Sequence, residues 1–283
     1  MSTSKSFTLD PNDRDGAVRH VSVHNARAWD ALARQGVSLA QPATDADLRD
    51  PFAIINPAGW LGSDIRGWRV LCLAAGGGRH SALYAACGAK VTVVDVSGEM
   101  LALDRAAAAE RSFDVRLVQT SMEDLSMFAP GEFDAVIHPV STCYVPDVRP
   151  VFAAAARVTR PGGLYISQHK SPVSLQVAPR PEPDGYVVRE SYYRSGTLPM
   201  AEPSHLREAG TLEFLHRWEE LVGGMCRSGF VIEDLVEPVH AKPQAAAGSF
   251  GHRAQYIAPY VRIKARRQEN SPSATTASVV MGH

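Results

Sequence analysis

The residues with the most chemical content are three consecutive glycines, Gly76, Gly77 and Gly78, a carboxylate 19 residues beyond the first of them, Asp95, and two histidines, His138 and His169, each closing an apolar run. Glycine has no Cβ, takes positive φ readily and lets a ligand approach the main chain. A carboxylate roughly 20 residues after such a turn is placed to accept hydrogen bonds from a ribose diol. An imidazole titrates near neutrality and suits proton transfer. The glycines and Asp95 therefore call for a nucleoside-containing ligand, and the histidines for an acid–base role beside it.

These residues need a frame, and the pattern supplies one. Val70–Leu73 reads as a buried strand, Ser81–Cys87 as a helix ended by Gly88, and Val91–Val94 as a second strand closed by Asp95. Ser97 is a plausible N-cap, with Glu99 in the first turn of a helix running to Arg111, whose apolar side carries Met100, Leu101 and Leu103. Strands follow at Val115–Val118, Phe133–Ile137 and Leu164–Ser167, with a helix at Val151–Val158. Alternating strands and helices give a parallel α/β sheet, and ligands bind beyond the carboxyl ends of its strands, where His138 and His169 fall. Ser121 and Asp124 are spaced as a helix cap and its third residue. Further on, Leu215, Trp218, Leu221, Val222 and Met225 predict a helix from Thr211 to Arg227, on which His216 and Glu219 are either a metal pair or a solvated one. Phe230–Val236 and Tyr256–Ala265 read as the last two strands, with a small, polar linker over 237–251.

Residues 170–210 contain Pro172, Pro179, Pro181, Pro183, Pro199 and Pro203, with a strand-like Tyr186–Tyr193 between them. A connection this long is usually functional or disordered; its tyrosines favour a lid or substrate wall. At the other end, His20–Arg34 is amphipathic through Ala26, Trp29, Leu32 and Ala33, and Gln41–Trp60 reads as a loop with short helical pieces. Residues 1–19 and 266–283 are polar and aperiodic and are expected to be a disordered arm and tail, leaving a domain over 20–265.

Composition narrows the function classes. The 283 residues are 45% hydrophobic with a net charge of −1, which advertises no basic face for nucleic acid. Cys72, Cys87, Cys143 and Cys226 are scattered without a C-x-x-C pair, as buried thiols in a reducing compartment would be. No apolar run is long enough for a membrane span and no signal-peptide pattern opens the chain, so a cytoplasmic location is expected.

The third glycine position of a dinucleotide fingerprint is occupied by Ser81. The segment around Gly76 and Gly78 instead resembles motif I of the class I S-adenosylmethionine (SAM) methyltransferases, with Cys72 where that family has an acid and Ala74 in place of the first glycine. His138-Pro-Val-Ser-Thr-Cys-Tyr-Val-Pro-Asp147 resembles the H-P-V-S-N-x-F-V-P-D string of a bacterial branch, departing at Thr142 and Tyr144. It is unlike the N-P-P-Y of nucleic-acid amino methyltransferases. Arg157–Leu164 (RVTRPGGL) and the terminal strand pair match the family as well, so the resemblance spans about Asn25–Ala265.

The resemblance implies a Rossmann-like, doubly wound, seven-stranded, mostly parallel sheet with a terminal antiparallel hairpin and a lid insertion. It implies SAM as cofactor, held by Ala74, Gly76, Gly78, Asp95, Val96, Met100, Met122, Glu123 (or Asp124) and His138, and no metal. For Met100 a core role is preferred to contact with the adenine, and for Trp29 packing its helix down is preferred to covering the cofactor. The implied reaction is in-line methyl transfer to a small-molecule acceptor, with no nucleic-acid or membrane partner. His138, or else His169, would be the general base, and Tyr144 would orient the acceptor. A non-catalytic protein binding SAM or S-adenosylhomocysteine (SAH), and an NAD-dependent oxidoreductase, are the alternatives; a dimer is compatible with all three.

Overall fold

The computed structural model describes residues 14–200 and 206–269. Helix α1 (Arg14–Arg34) leads into α2 (Pro51–Ile55), whose Asp50 cap accepts from the Ala53 N–H. The alternating core follows: β1 (Arg69–Leu73), α3 (Arg79–Ala86), β2 (Lys90–Asp95), α4 (Gly98–Arg111), β3 (Val115–Gln119), β4 (Phe133–His138), α5 (Arg149–Val158) and β5 (Thr159–Lys170). Then come α6 (Pro172–Gln176), α7 (Trp218–Arg227), β6 (Phe230–Val236), α8 (Phe250–Arg253) and β7 (Tyr260–Arg267). The seven strands lie in the order β3-β2-β1-β4-β5-β7-β6, with β7 antiparallel to both neighbours and β1 to β5 parallel. The order reverses between β1 and β4, and a crevice opens there at the strands' carboxyl ends.

Strand alternation sends each strand's residues into two cores. In β1, Leu71 and Leu73 join Phe128, Phe133, Phe152 and Tyr165 on one face, while Val70 and Cys72 join Ile65, Tyr84, Leu101 and Ile137 on the other. Each fully buried leucine stabilises by about 1.5–3 kcal/mol. Helices α5 and α7 close the first face. They approach so tightly that a Cβ on Gly224 would lie 3.0 Å from the Phe152 ring. No described helix is long and apolar enough to cross a membrane.

Several sequence expectations need correction. Helix α1 begins at Arg14, six residues before its expected start at His20, and β7 extends to Arg267; the rest of the expected arm and tail, residues 1–13 and 270–283, lies outside the described residues. The helix expected from Thr211 begins only at Trp218. Residues 211–217 are drawn out of helix by cross-chain main-chain bonds, Phe214 N–H to Cys143 O at 2.7 Å and Leu198 N–H to Glu213 O at 2.7 Å. Tyr186–Tyr193 forms no strand; only isolated bridges such as Val177–Val188 appear. No helix starts at Ser121, whose hydroxyl accepts from Glu123 N–H in a simple turn. The linker contains α8, whose buried Arg253 donates to the carbonyls of Ser174, Val177 and Ala178 and ties the two excursions together.

Candidate active site

A cavity of about 620 Å³ occupies the crevice. Its first wall is the turn after β1. Ala74 takes φ +49°, a left-handed conformation that costs a non-glycine residue roughly 1–2 kcal/mol, at the position where motif I carries glycine. A Cβ on Gly76 would sit 2.7 Å from the Met100 Cβ and 2.9 Å from Asp95 Oδ2, so only glycine lets the main chain pass there. Asp95 closes β2 and accepts from Gly76 N–H through Oδ2 and from Ser97 N–H through Oδ1, each at 2.9 Å. Burial raises its carboxyl above the ordinary value. Two main-chain bonds fix it at the cavity wall with further lone pairs free to accept hydroxyls.

Of the residues expected to hold the cofactor, Ala74, Gly76, Asp95, Val96, Met100, Met122 and Glu123 line the cavity. Glu123 rather than Asp124 faces it; Asp124 is exposed and accepts from Ser126 instead. Gly78 and His138 do not line it. Gly78 N–H donates to Asp104 Oδ1 at 3.0 Å, Gly77 N–H to Asp104 Oδ2 at 2.9 Å, and the Ser81 hydroxyl to Oδ1. Asp104 is thus the hidden anchor of the turn, fully buried on α4 and pushed up to about 6 by burial. Its signal was available in the sequence: a lone carboxylate on the face of α4 that otherwise buries Met100, Leu101, Ala107 and Ala108.

The histidines take a different place from the one expected. His138 is buried, with Nδ1 2.6 Å from the Tyr165 hydroxyl and Nε2 2.6 Å from the Ser141 hydroxyl. His169 is equally buried, with Nδ1 2.8 Å from Thr142 Oγ1 and Nε2 2.8 Å from Ser167 Oγ. Burial lowers both to about 3, so both are neutral at physiological pH with every ring nitrogen engaged. Neither lines the cavity; His138 touches its wall only through the Ser141 hydroxyl, and His169 meets Thr142 and Ser167, which do not line it. His216 and Glu219 are likewise apart: His216 Nε2 meets the carbonyls of Thr142 and Val145, and Glu219 pairs with Arg217.

Tyr144 does line the cavity, edge-on to Trp29 at 5.6 Å between ring centroids. Trp29 lines it too, so it both packs the helix and faces the crevice. Asn25 places this helix: its side chain donates to Tyr144 O and Leu212 O and accepts from Leu212 N–H. The Tyr144 hydroxyl donates to Glu208 Oε2 at 2.5 Å. Glu208, another cavity residue, also receives Lys170 Nζ at 2.6 Å on that oxygen, and Lys170 reaches Glu213 Oε1 at 2.6 Å. Arg207 donates to the other Glu213 oxygen. Burial opposes the charge on Lys170, but the carboxylates outweigh it and hold the ammonium above its ordinary value. Glu208 Oε1 has no hydrogen-bond partner among the described residues. Arg79, His80, Gln168, Tyr260 and Arg262 complete the wall near the sheet. No sequence pattern marks Glu208, Arg79, His80, Tyr260 or Arg262.

A seven-stranded sheet of this order, with a tight glycine turn and a carboxylate closing β2, defines a Rossmann-like protein of the class I methyltransferase type. A methyltransferase-domain family model matches residues 71–167. An uncharacterized methyltransferase, YbaJ, of Bacillus subtilis is 34% identical over 228 residues, covering 76% of this chain and 89% of that protein. The chain belongs to the SAM-dependent methyltransferase family. A ubiquinone biosynthesis O-methyltransferase of Xanthomonas oryzae is 36% identical over 117 residues, which span 41% of this chain and only 49% of that enzyme. The crystal structure of a SAM-dependent methyltransferase from Mesorhizobium loti superposes with a TM-score of 0.60 at 21% identity, covering 77% of this chain and 98% of that one, and shows the shared fold. SAM is the cofactor, and the tight passage at Gly76 and the fixed Asp95 fit its adenosine. The NAD alternative falls with these matches.

Proposed function

We propose that the protein methylates a hydroxyl-bearing small molecule, with Glu208 taking the acceptor proton. The observation that carries this reading is the single cavity that joins the cofactor residues to Tyr144 and Glu208. Its volume of about 620 Å³ lies within the range of small-molecule sites.

When bound, SAM supplies a methyl group already activated by the neighbouring sulfonium charge. The remaining work falls to the chain. Asp95 and Glu123 accept from the polar edges of the adenosine, with Met100 and Met122 against it. The turn at Gly76 fixes its depth, and alignment of two bound reactants is worth about 7–11 kcal/mol of barrier. Glu208 Oε1 faces the acceptor hydroxyl and receives its proton, while Oε2 is pinned by Tyr144 and Lys170. Such a base contributes about 10²–10⁴-fold. The acceptor enters between α1 and the segment over 206–217, which serves as a wall or lid.

The test is in two parts. SAH raises the thermal stability of the wild-type protein, and Asp95→Ala abolishes the rise. A library of small phenols and alcohols with labelled SAM then identifies an acceptor. On it, Glu208→Gln lowers kcat at least a hundredfold with SAH affinity unchanged. No SAH binding by the wild type sinks the methyltransferase reading; an unchanged kcat in Glu208→Gln sinks the base.

A further inference from the structure

The face of β7 toward the cavity carries three cations in alternate positions, Arg262, Lys264 and Arg266. Two of them share one acid: Lys264 Nζ lies 2.9 Å from Glu233 Oε2, and Arg266 pairs with its Oε1. Arg262 has no such partner. Its Nε donates to Gln168 Oε1 at 2.6 Å across the β5–β7 register. Its two terminal nitrogens bond to no described residue and are not among the buried, unpaired atoms. Arg262 lines the cavity, as do Gln168, Tyr260, Arg79 and His80.

Charge in this corner is one-sided. Arg79 is neutralised by Asp47 through contacts of 2.8 and 3.1 Å. His80 is held down to about 4, by burial first and then by the charges of Arg79 and Arg262, so it is neutral at physiological pH. That leaves one uncompensated positive charge, on a planar group with one edge occupied and the other open. A guanidinium with a free edge binds a carboxylate through two parallel hydrogen bonds. One unit of charge suits a monoanion and leaves a phosphate dianion half-compensated.

We propose that Arg262, steadied by Gln168, is a receptor for one carboxylate of the molecules this site binds. The proposal rests on the methyltransferase reading and names the chemistry of its ligand. Two molecules can bring that group: an acceptor bearing an acid, or the amino-acid end of SAM itself. The phenol-plus-acid pattern of a hydroxybenzoate would place its hydroxyl and carboxylate toward Glu208 and Arg262 respectively.

The experiment uses the full chain and the variants Arg262→Gln and Arg262→Lys, with ligand-free melting as the folding control. Calorimetry measures SAH and 5′-methylthioadenosine, which lacks the amino-acid end. Thermal shifts, with and without SAH, measure acetate, benzoate and 4-hydroxybenzoate against methyl 4-hydroxybenzoate. If Arg262 holds the cofactor's carboxylate, Arg262→Gln weakens SAH about tenfold to hundredfold, leaves methylthioadenosine unchanged, and Arg262→Lys recovers part of the loss. If it holds the acceptor's, SAH is unaffected, and the free acids stabilise the wild type more than the ester does and lose that effect in Arg262→Gln. Unchanged SAH affinity together with no carboxylate that separates wild type from variant overturns the proposal. A wild type that binds neither nucleoside overturns the methyltransferase reading instead, and the acid series without SAH still decides the Arg262 site.

Discussion

Asp104 offers the sharpest test of how the cofactor turn is built. Burial pushes its carboxyl from 3.8 to about 6, against the hydrogen bonds from Ser81, Gly77 and Gly78 that favour ionisation. The folded value is above the unfolded one, so the folded state binds this proton more tightly. The associated stability is fully present below about pH 4 and is lost as pH rises through about 6. The whole span of about two pH units is worth about 3 kcal/mol, of which about 2 kcal/mol is expressed at pH 4.5. Asp104→Asn has no such titration. Its destabilisation relative to wild type is therefore expected to be about 2 kcal/mol larger at pH 4.5 than at pH 7.5, read from urea unfolding at both values. Asp47, Asp134 and Glu233, held low by their arginine partners, titrate in the opposite sense, but both proteins carry them and the difference removes them. An identical gap at the two pH values refutes the buried carboxylate, and a gap that widens with rising pH would mean that the folded state favours its charge.

Gly76→Ala places a methyl group 2.7 Å from Met100 Cβ and 2.9 Å from Asp95 Oδ2, and is expected to cost about 1–3 kcal/mol and to abolish SAH binding by calorimetry; Gly98→Ala, likewise without a positive φ and with its nearest neighbour 3.4 Å away, is the control. His138→Asn is expected to lower stability by about 1–3 kcal/mol through its two buried hydroxyl partners, while kcat on an identified acceptor stays within a few-fold; a loss of kcat above a hundredfold at unchanged fold would restore the imidazole as base. Lys170→Met leaves Glu213, which is fully buried, and Glu208 without their ammonium and is expected to cost about 3–5 kcal/mol in chemical unfolding, with a cost below 1 kcal/mol counting against a buried ion cluster.

What the sequence displayed was local. The β1 turn, the end of α3 at Gly88, Asp95 and the Ser97 cap, which accepts from Met100 N–H at 3.1 Å, are set by residues near one another in the chain. The helix expected over 211–227 failed at its first turns for a non-local reason. Leu215 and Trp218 keep helical spacing, but Glu213 is fixed by Lys170 and Arg207, and the main chain beside it is claimed by Cys143 and Leu198. Glu208, a cavity residue three positions before that segment, had no periodic signal to mark it. Asp104 is legible only in hindsight of its partners, because a polar residue on a buried helical face reads as a lapse in the pattern until they are known.

The absence of the two histidines from the cavity lining has a simpler cause, which a strand's period of two makes plain. Residues at the end of a strand sit at the ligand edge whichever way they point, and only the alternate ones face the ligand. Val136 and Tyr165 belong to the core under α5 and α7, so His138 and His169, in step with them along β4 and β5, turn away from the cavity toward that core. Cys72, Val93 and Ile137 belong to the opposite core, and the residues in step with them at the strand ends, Ala74, Asp95 and Pro139, line the cavity. Gln168, in step with Leu164 and the partly buried Ile166, does so as well, and across the register it brings Arg262 onto the same side. Asp95, expected from its spacing to be a ligand residue, does line the cavity. Carried across the sheet strand by strand, the face of Asp95 leads not to His169 but to Gln168 and its neighbour Arg262, which line the cavity on the same side.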